Sequence, residues 1–248
     1  MMETWNPKPD DPSRYDKRLA IIVPYRGRPQ HLQIFVPHIM AYFRHEKLDR
    51  RIAMSLHVVE QAGNAPFNGG KLKNVGFALA RDKADYVCFH DVDYLPLWAD
   101  YSYSPRPARL IWHGLPVKEV WERFMGGVLM FDNASYARIN GYPNNYWGYG
   151  FEDRELVERL NLAGIAWEKR DGFYRAIPHP HAGLTAEGKP NAEAQAMGEL
   201  FYARLPDLAR LMPAEGLGDL SFKVMGSEPI VLGDGPLPNA FHHLVDIG

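Results

Sequence analysis

The run Leu19-Ala20-Ile21-Ile22-Val23 has no polar side chain at any position. A strand with one wet face alternates apolar and polar residues, so a continuously apolar run reads as a parallel strand buried on both faces. Residues 52–59 and Tyr86–Phe89 read as two further strands. Between them lie two helical segments. Gln30 to Lys47 is a long apolar helix interrupted at Pro37. The second starts at Phe67-Asn68-Gly69-Gly70, with Asn68 as N-cap and Leu72, Val75 and Leu79 as its inward stripe. This β-α-β-α-β opening predicts a doubly wound α/β sheet with its ligand at the carboxyl ends of the strands. Pro24, Gln61 and Asp91 stand at such ends and are expected to converge.

The third run leads directly into Asp91-Val92-Asp93, and Leu95-Pro96 is expected to stop the strand there. In extended backbone, Asp91 and Asp93 project to one side. Two carboxylates on one side repel unless a cation lies between them, and a divalent ion carrying a pyrophosphate suits such a place. A chance Asp-x-Asp is the competing reading. The turn Pro24-Tyr25-Arg26-Gly27-Arg28-Pro29 carries two guanidinium groups, which fit a pyrophosphate or simply a solvated basic loop. Residues 125–131 read as a strand in which Gly126 and Gly127 allow close approach of a ligand or backbone.

Farther on, residues 140–150 form an aromatic, turn-rich loop, either a platform for a sugar or a loop packed on itself. Glu152 and Asp153 open a helix, where acidic residues are favoured by the helix dipole alone. His179 and His181 have a common metal-ligand spacing, although such pairs are often structural. Residues 182–191 are a candidate lid, and 192–212 a helix broken at Pro206. Short strand-like runs close the chain at 220–225, 229–232 and 242–247.

The 248 residues are 46% hydrophobic and 23% charged, enough for one sizeable core. A net charge of −2 offers no argument for nucleic acid or an anionic membrane as partner. Cys88 is the sole cysteine, which rules out an internal disulfide and suggests a reducing compartment. Residues 1–18 are polar, with Pro7, Pro9 and Pro12, and no stretch has the length of a bilayer span. The expectation is a soluble cytoplasmic protein with a polar extension at 1–18 and a single domain at 19–248.

Several of these segments, in this order, resemble the beta-1,4-galactosyltransferase family, glycosyltransferase family 7. They are residues 23–28, Phe67-Asn68, residues 71–77, Asp91-Val92-Asp93-Tyr94-Leu95-Pro96, residues 124–128 and Asn140 through Asp153. Residues 216–221 and 244–247 resemble the family's end more loosely. The likeness runs over roughly residues 19–248. It implies a single-domain nucleotide-diphospho-sugar transferase fold (GT-A type) with a mixed, mainly parallel sheet. It also implies an inverting transfer of a hexose from a UDP-sugar to a glycan hydroxyl, with Mn²⁺ as the usual metal and Mg²⁺ as its substitute.

By position, the resemblance assigns Asp153 as general base with Glu152 beside it, and Asp93, His179 and His181 to the metal. Pro24, Tyr25, Arg26, Arg28, Phe67, Asp91, Val92, Phe124 and Gly127 fall on the donor side. Phe124 stands where the family sets donor choice, and its bulk implies UDP-galactose over the N-acetyl sugar, with UDP-glucose as a further candidate. Tyr149 and Arg154 fall on the acceptor side. Both depart from the family, which has Trp and a carboxylate there. Arg154 therefore implies an acidic acceptor, unless it only pairs with Glu158. Gly69 stands at a usual phosphate contact, and Lys118 is merely near another. A UDP-sugar hydrolase and a sugar-binding protein with weakened catalysis are the alternative functions.

Overall fold

The computed structural model describes residues 16–45, 52–111, 125–170, 172–180, 183–185 and 187–248. Phe124, Lys118 and His181 lie outside them. The opening follows the expected alternation: β1 (Arg18–Tyr25), α1 (Pro29–His45), β2 (Ala53–Gln61), α2 (Gly69–Ala80) and β3 (Tyr86–His90). After it come β4 (Tyr94–Ala99), β5 (Ala108–Arg109), β6 (Val128–Asp132), α3 (Asn133–Arg138) and α4 (Glu152–Leu162). The rest is β7 (Glu168–Lys169), β8 (Gly172–Ala176), α5 (Ala192–Arg204), α6 (Leu208–Leu211), β9 (Lys223–Leu232) and β10 (Gly235–Asp246).

Eight strands form one mixed sheet in the order β7-β5-β6-β3-β1-β2-β10-β9. Its centre is parallel: β1 lies between β3 and β2, and β10 adds in parallel beside β2. The antiparallel pairings are β6 on β3, β5 on β6 and β9 on β10. The continuously apolar β1 is explained by its two faces. Leu19, Ile21 and Val23 pack with Phe35, Ile39 and Phe43 of α1, whereas Ala20 and Ile22 pack with Leu72 and Val75 of α2 and Leu156 of α4. Contact with α2 is close enough that a Cβ on Gly76 would lie 2.2 Å from Cγ2 of Ile22.

Three sequence expectations need correction. Pro96 does not end a strand, because it lies within β4, which pairs with β8 in a separate two-stranded ribbon. A ribbon strand has an open edge, and the register shifts between Pro96 and Trp98, so the missing N–H breaks no ladder. Gly126 and Gly127 precede β6 rather than lying within it. Asp91, Val92 and Asp93 are likewise not extended: β3 stops at His90, and the triplet forms a turn closed by Tyr94 N–H donating to Asp91 O at 3.3 Å.

On β2 and the β9–β10 hairpin, a polar ladder runs through the sheet. Nδ1 of His57 is 3.1 Å from Nε2 of His243, and the outer nitrogens face Ser55 Oγ (3.1 Å) and Ser227 Oγ (2.8 Å). Burial, reinforced by His243, pushes the His57 pKa down to about 4. No helix among the described residues is long and apolar enough to cross a membrane.

Candidate active site

At the carboxyl ends of β1 and β3 the chain leaves a cleft of about 560 Å³. Pro24 and Tyr25 reach it from the end of β1, Arg26 and Arg28 from the turn that follows, and Phe67 from the loop before α2. That loop is held from behind. Gln61 Oε1 accepts the Asn68 N–H at 2.9 Å, and Gln61 Nε2 donates to Pro66 O at 2.9 Å. Gln61 itself is buried outside the cleft, so it supports the site instead of converging on it. Asn68 caps α2 as expected, accepting the Lys71 N–H at 2.8 Å. Arg26 donates to Ala65 O and lies 5.5 Å from the centre of the Phe67 ring, so the two side chains form one wall.

The Asp91–Asp93 turn forms the floor. Asp91 N–H donates to Gly127 O at 2.9 Å. Gly127 has φ +82°, a left-handed conformation that suits glycine, and a Cβ there would press on Ile111 at 3.0 Å. Asp93 Oδ2 is 2.9 Å from Nε2 of His179. The other ring nitrogen, Nδ1, is 2.8 Å from Pro180 O. A carbonyl only accepts, so Nδ1 carries a proton, and Nε2 presents either a second proton or a lone pair to the carboxylate. A lone pair and a carboxylate facing each other, with the far nitrogen tied to a backbone carbonyl, suit a divalent cation with mixed nitrogen and oxygen ligands. Asp93 and His179 thus fit Mn²⁺. Among the described residues they have no third His, Cys, Asp or Glu to complete a cluster.

Across the cleft, α4 begins at Glu152 and Asp153 after Phe151, whose φ of +72° is left-handed. A non-glycine residue pays for that conformation, and such strain concentrates at functional sites. Asp153 Oδ1 accepts from Tyr142 Oη at 3.0 Å and faces Lys73 Nζ at 3.4 Å. Asp91, Glu152, Asp153 and Lys73 are crowded together under low exposure, and the charges show it. Burial, then Asp153, pushes Glu152 up to about 7, opposed by Lys73. Burial also raises Asp91 to about 7, with Lys73 again opposing and Asp93 reinforcing. Burial works against the Lys73 ammonium, yet Asp153, Asp91 and Glu152 outweigh it and push its pKa up to about 12.

Of the residues anticipated at the site, Val92, Gly127 and Tyr149 also line the cleft. Arg154 does not: its guanidinium lies over the Phe151 ring, 4.8 Å from the centre, and Glu158 instead accepts from Asn161. Lys73, Arg109 and Glu193 line the cleft without having been anticipated. Lys73 follows Leu72 in a helix that is buried almost all round, where a one-sided stripe gives no warning of a buried cation.

Residues 3–104 match the N-terminal region of glycosyl transferase group 7, and residues 113–181 match the N-terminal domain of galactosyltransferase. The chain is 37% identical to human beta-1,4-galactosyltransferase 6 over 193 residues, 72% of this chain and 47% of that protein. It is 34% identical to zebrafish (Danio rerio) beta-1,4-galactosyltransferase 5 over 220 residues, 85% of this chain and 54% of that one. The chain therefore spans about half the length of the curated relatives it matches. The catalytic domain of Drosophila beta-1,4-galactosyltransferase 7, crystallised with xylobiose, superposes with a TM-score of 0.72 at 26% identity, covering 93% of this chain and 94% of that one. A mutant of the same enzyme, bound to manganese, UDP-Gal and xylobiose, gives 0.72 at 25% identity with the same coverage. The fold is that of a GT-A-type nucleotide-sugar transferase. The chain belongs to glycosyl transferase group 7, the beta-1,4-galactosyltransferase family.

Proposed function

We propose that this chain is a metal-dependent, inverting galactosyltransferase that moves galactose from UDP-galactose to a hydroxyl of an uncharged sugar. One observation carries the reading: the Asp153 carboxylate lines the same cleft as Arg26, Arg28, Asp91 and Asp93, on the opposite wall. A donor whose diphosphate lies along the arginines and whose sugar reaches across the floor leaves its anomeric carbon between the two walls. Arg26 and Arg28 supply forked donors for the diphosphate oxygens, and Phe67 supplies an apolar wall. Asp93 and His179 would hold Mn²⁺, which when bound neutralises charge on the departing diphosphate. His181 and Phe124 lie outside the described residues, and only the family resemblance assigns them to the metal and the donor sugar.

Asp153 acts as general base, taking the acceptor hydroxyl's proton as oxygen attacks from the face opposite the diphosphate. Glu152, with its pKa raised to about 7 by burial and by Asp153, sits beside it as a hydrogen-bonding carboxyl. Glu152, Asp153 and Glu193 line this side, with Lys73 and Arg109 as the cations beside them and Arg154 absent from the lining, so carboxylates outnumber cations there. A uronate or phosphate there would meet like charge, whereas sugar hydroxyls can donate to each carboxylate. Tyr149 offers a ring, and a Cβ on Gly183 would fall 2.0 Å from its Cδ1, so residue 183 is packed against it.

The test is incubation of the chain with MnCl₂, UDP-galactose or UDP-glucose, and an array of neutral and uronic glycosides, read by mass spectrometry. A galactosylated neutral product, reduced about 10²- to 10⁴-fold in Asp153→Asn, is expected. Release of free galactose without transfer would instead indicate a hydrolase, and transfer confined to uronic glycosides would overturn the neutral-acceptor assignment.

A further inference from the structure

We infer that Lys73 positions the Asp153 carboxylate and supplies its counter-charge, an inference that rests on the reading of Asp153 as the base. Lys73 is only 4% exposed, with its ammonium 4.6 Å from the centre of the Tyr142 ring. It reaches Asp153 from α2, whereas Asp153 is carried by α4, so the pair ties these two helices together across the cleft. Both donors to Asp153, Lys73 Nζ and Tyr142 Oη, address the same oxygen, Oδ1. Oδ2 takes no hydrogen bond from the described residues. The carboxylate is therefore clamped on one oxygen with the other left for an acceptor hydroxyl in the cleft.

The charges facing this pair explain why a cation is needed. Asp91 approaches from the β3–β4 turn, with Asp93 beyond it, and Glu152 stands beside Asp153 on α4. Among the described residues, the Arg109 guanidinium of β5 and the hydroxyls of Tyr142 and Tyr149 also sense Asp153. At 3.4 Å the contact between Lys73 and Asp153 is primarily an ion pair. Burial drives carboxyls to bind protons, and two neighbouring carboxylates drive them further. A base that is protonated near neutral pH cannot accept the acceptor's proton. Lys73 opposes both effects at once.

The experiment compares Lys73→Met, which fills similar space without charge, with Lys73→Arg in turnover of UDP-galactose and the best glycoside of the array. Lys73→Met should lose about tenfold or more in kcat while KM for UDP-galactose stays within about twofold, and Lys73→Arg should recover most of the loss. An unchanged kcat in folded Lys73→Met overturns the inference. Should Lys73→Met not fold, the Lys73 side-chain ¹⁵N midpoint decides: it must fall in Asp153→Asn, and an unchanged value overturns the pairing. Undiminished turnover of Asp153→Asn would overturn the base assignment itself. An inactive Asp153→Asn beside a fully active Lys73→Met removes only the role of Lys73.

Discussion

Glu155, two residues after Asp153 on α4, is 1% exposed and is the acceptor at the centre of a buried ion network. It takes hydrogen bonds from Tyr146 Oη (2.7 Å), from Arg159 Nε and Nη2 (3.2 and 3.0 Å), and from Arg204 Nε and Nη2 (2.8 and 3.1 Å). Arg204 also pairs with Glu215, so two cations and two carboxylates balance. Glu155→Leu leaves a net positive charge where Arg159 is fully buried. Arg159 would keep only the carbonyls of Ile139, Gly141 and Glu215. Removing one partner of a buried pair costs about 3–5 kcal/mol, well above the ~1 kcal/mol of a typical hydrogen bond. On a domain of this size that lowers Tm by roughly 10 °C. Burial raises the Glu155 pKa, but the hydrogen bond from Arg204 and the charge of Arg159 outweigh it and hold it low. Its folded value is thus below the unfolded one, so its contribution is present above about pH 4.3 and disappears as pH falls through the folded value. Guanidinium unfolding at pH 7 and at pH 3 is the assay. A pH 7 loss below ~1 kcal/mol, or an equal loss at both pH values, would refute the reasoning.

Gly76→Ala gains up to ~1 kcal/mol of helix propensity but forces a methyl into Ile22, which costs about 1–3 kcal/mol, so chemical denaturation should show net destabilisation. Since the His57 pKa is lowered in the fold, its contribution is complete above about pH 6.5 and falls away toward pH 4. His57→Asn should therefore flatten the acid side of the stability curve relative to the unmodified chain, and parallel curves would contradict this. Asp93→Ala should abolish Mn²⁺-dependent UDP binding in calorimetry while leaving the melting temperature without metal within a few degrees. Gly148 has φ +106°, and a Cβ there would lie 1.7 Å from Glu193 Oε1, so Gly148→Ala should lower acceptor turnover more than donor affinity.

The parallel centre of the sheet was legible because burial on two faces leaves an unbroken apolar run, and Asn68 was legible because capping is local chemistry. Pro206 likewise marks the break between α5 and α6, where a 3-10 turn spans Leu205–Asp207. Local patterns failed where long-range pairing decides. The closing runs read as three short strands, yet they form the hairpin β9–β10, because Pro229 lies in an edge strand where its lost N–H is harmless. At the site, Asp91 and Asp93 were found for a partly incorrect reason: a turn, not strand alternation, aims both into the cleft. Lys73 was unreadable because its burial depends on α4, Tyr142 and three carboxylates from distant segments.

The parallel seam between β2 and β10 joins His57 to His243, 186 residues apart in sequence. On a ribosome adding about 5–20 residues per second, β2 waits roughly 10–40 s for that neighbour. During this interval the nascent chain has an open edge next to Leu56, Val58 and Val59, all fully buried once β10 arrives. Such an edge is a template for pairing with other chains. The last strand therefore acts as a late seal, and the yield of properly assembled protein depends on how well that edge is shielded during synthesis.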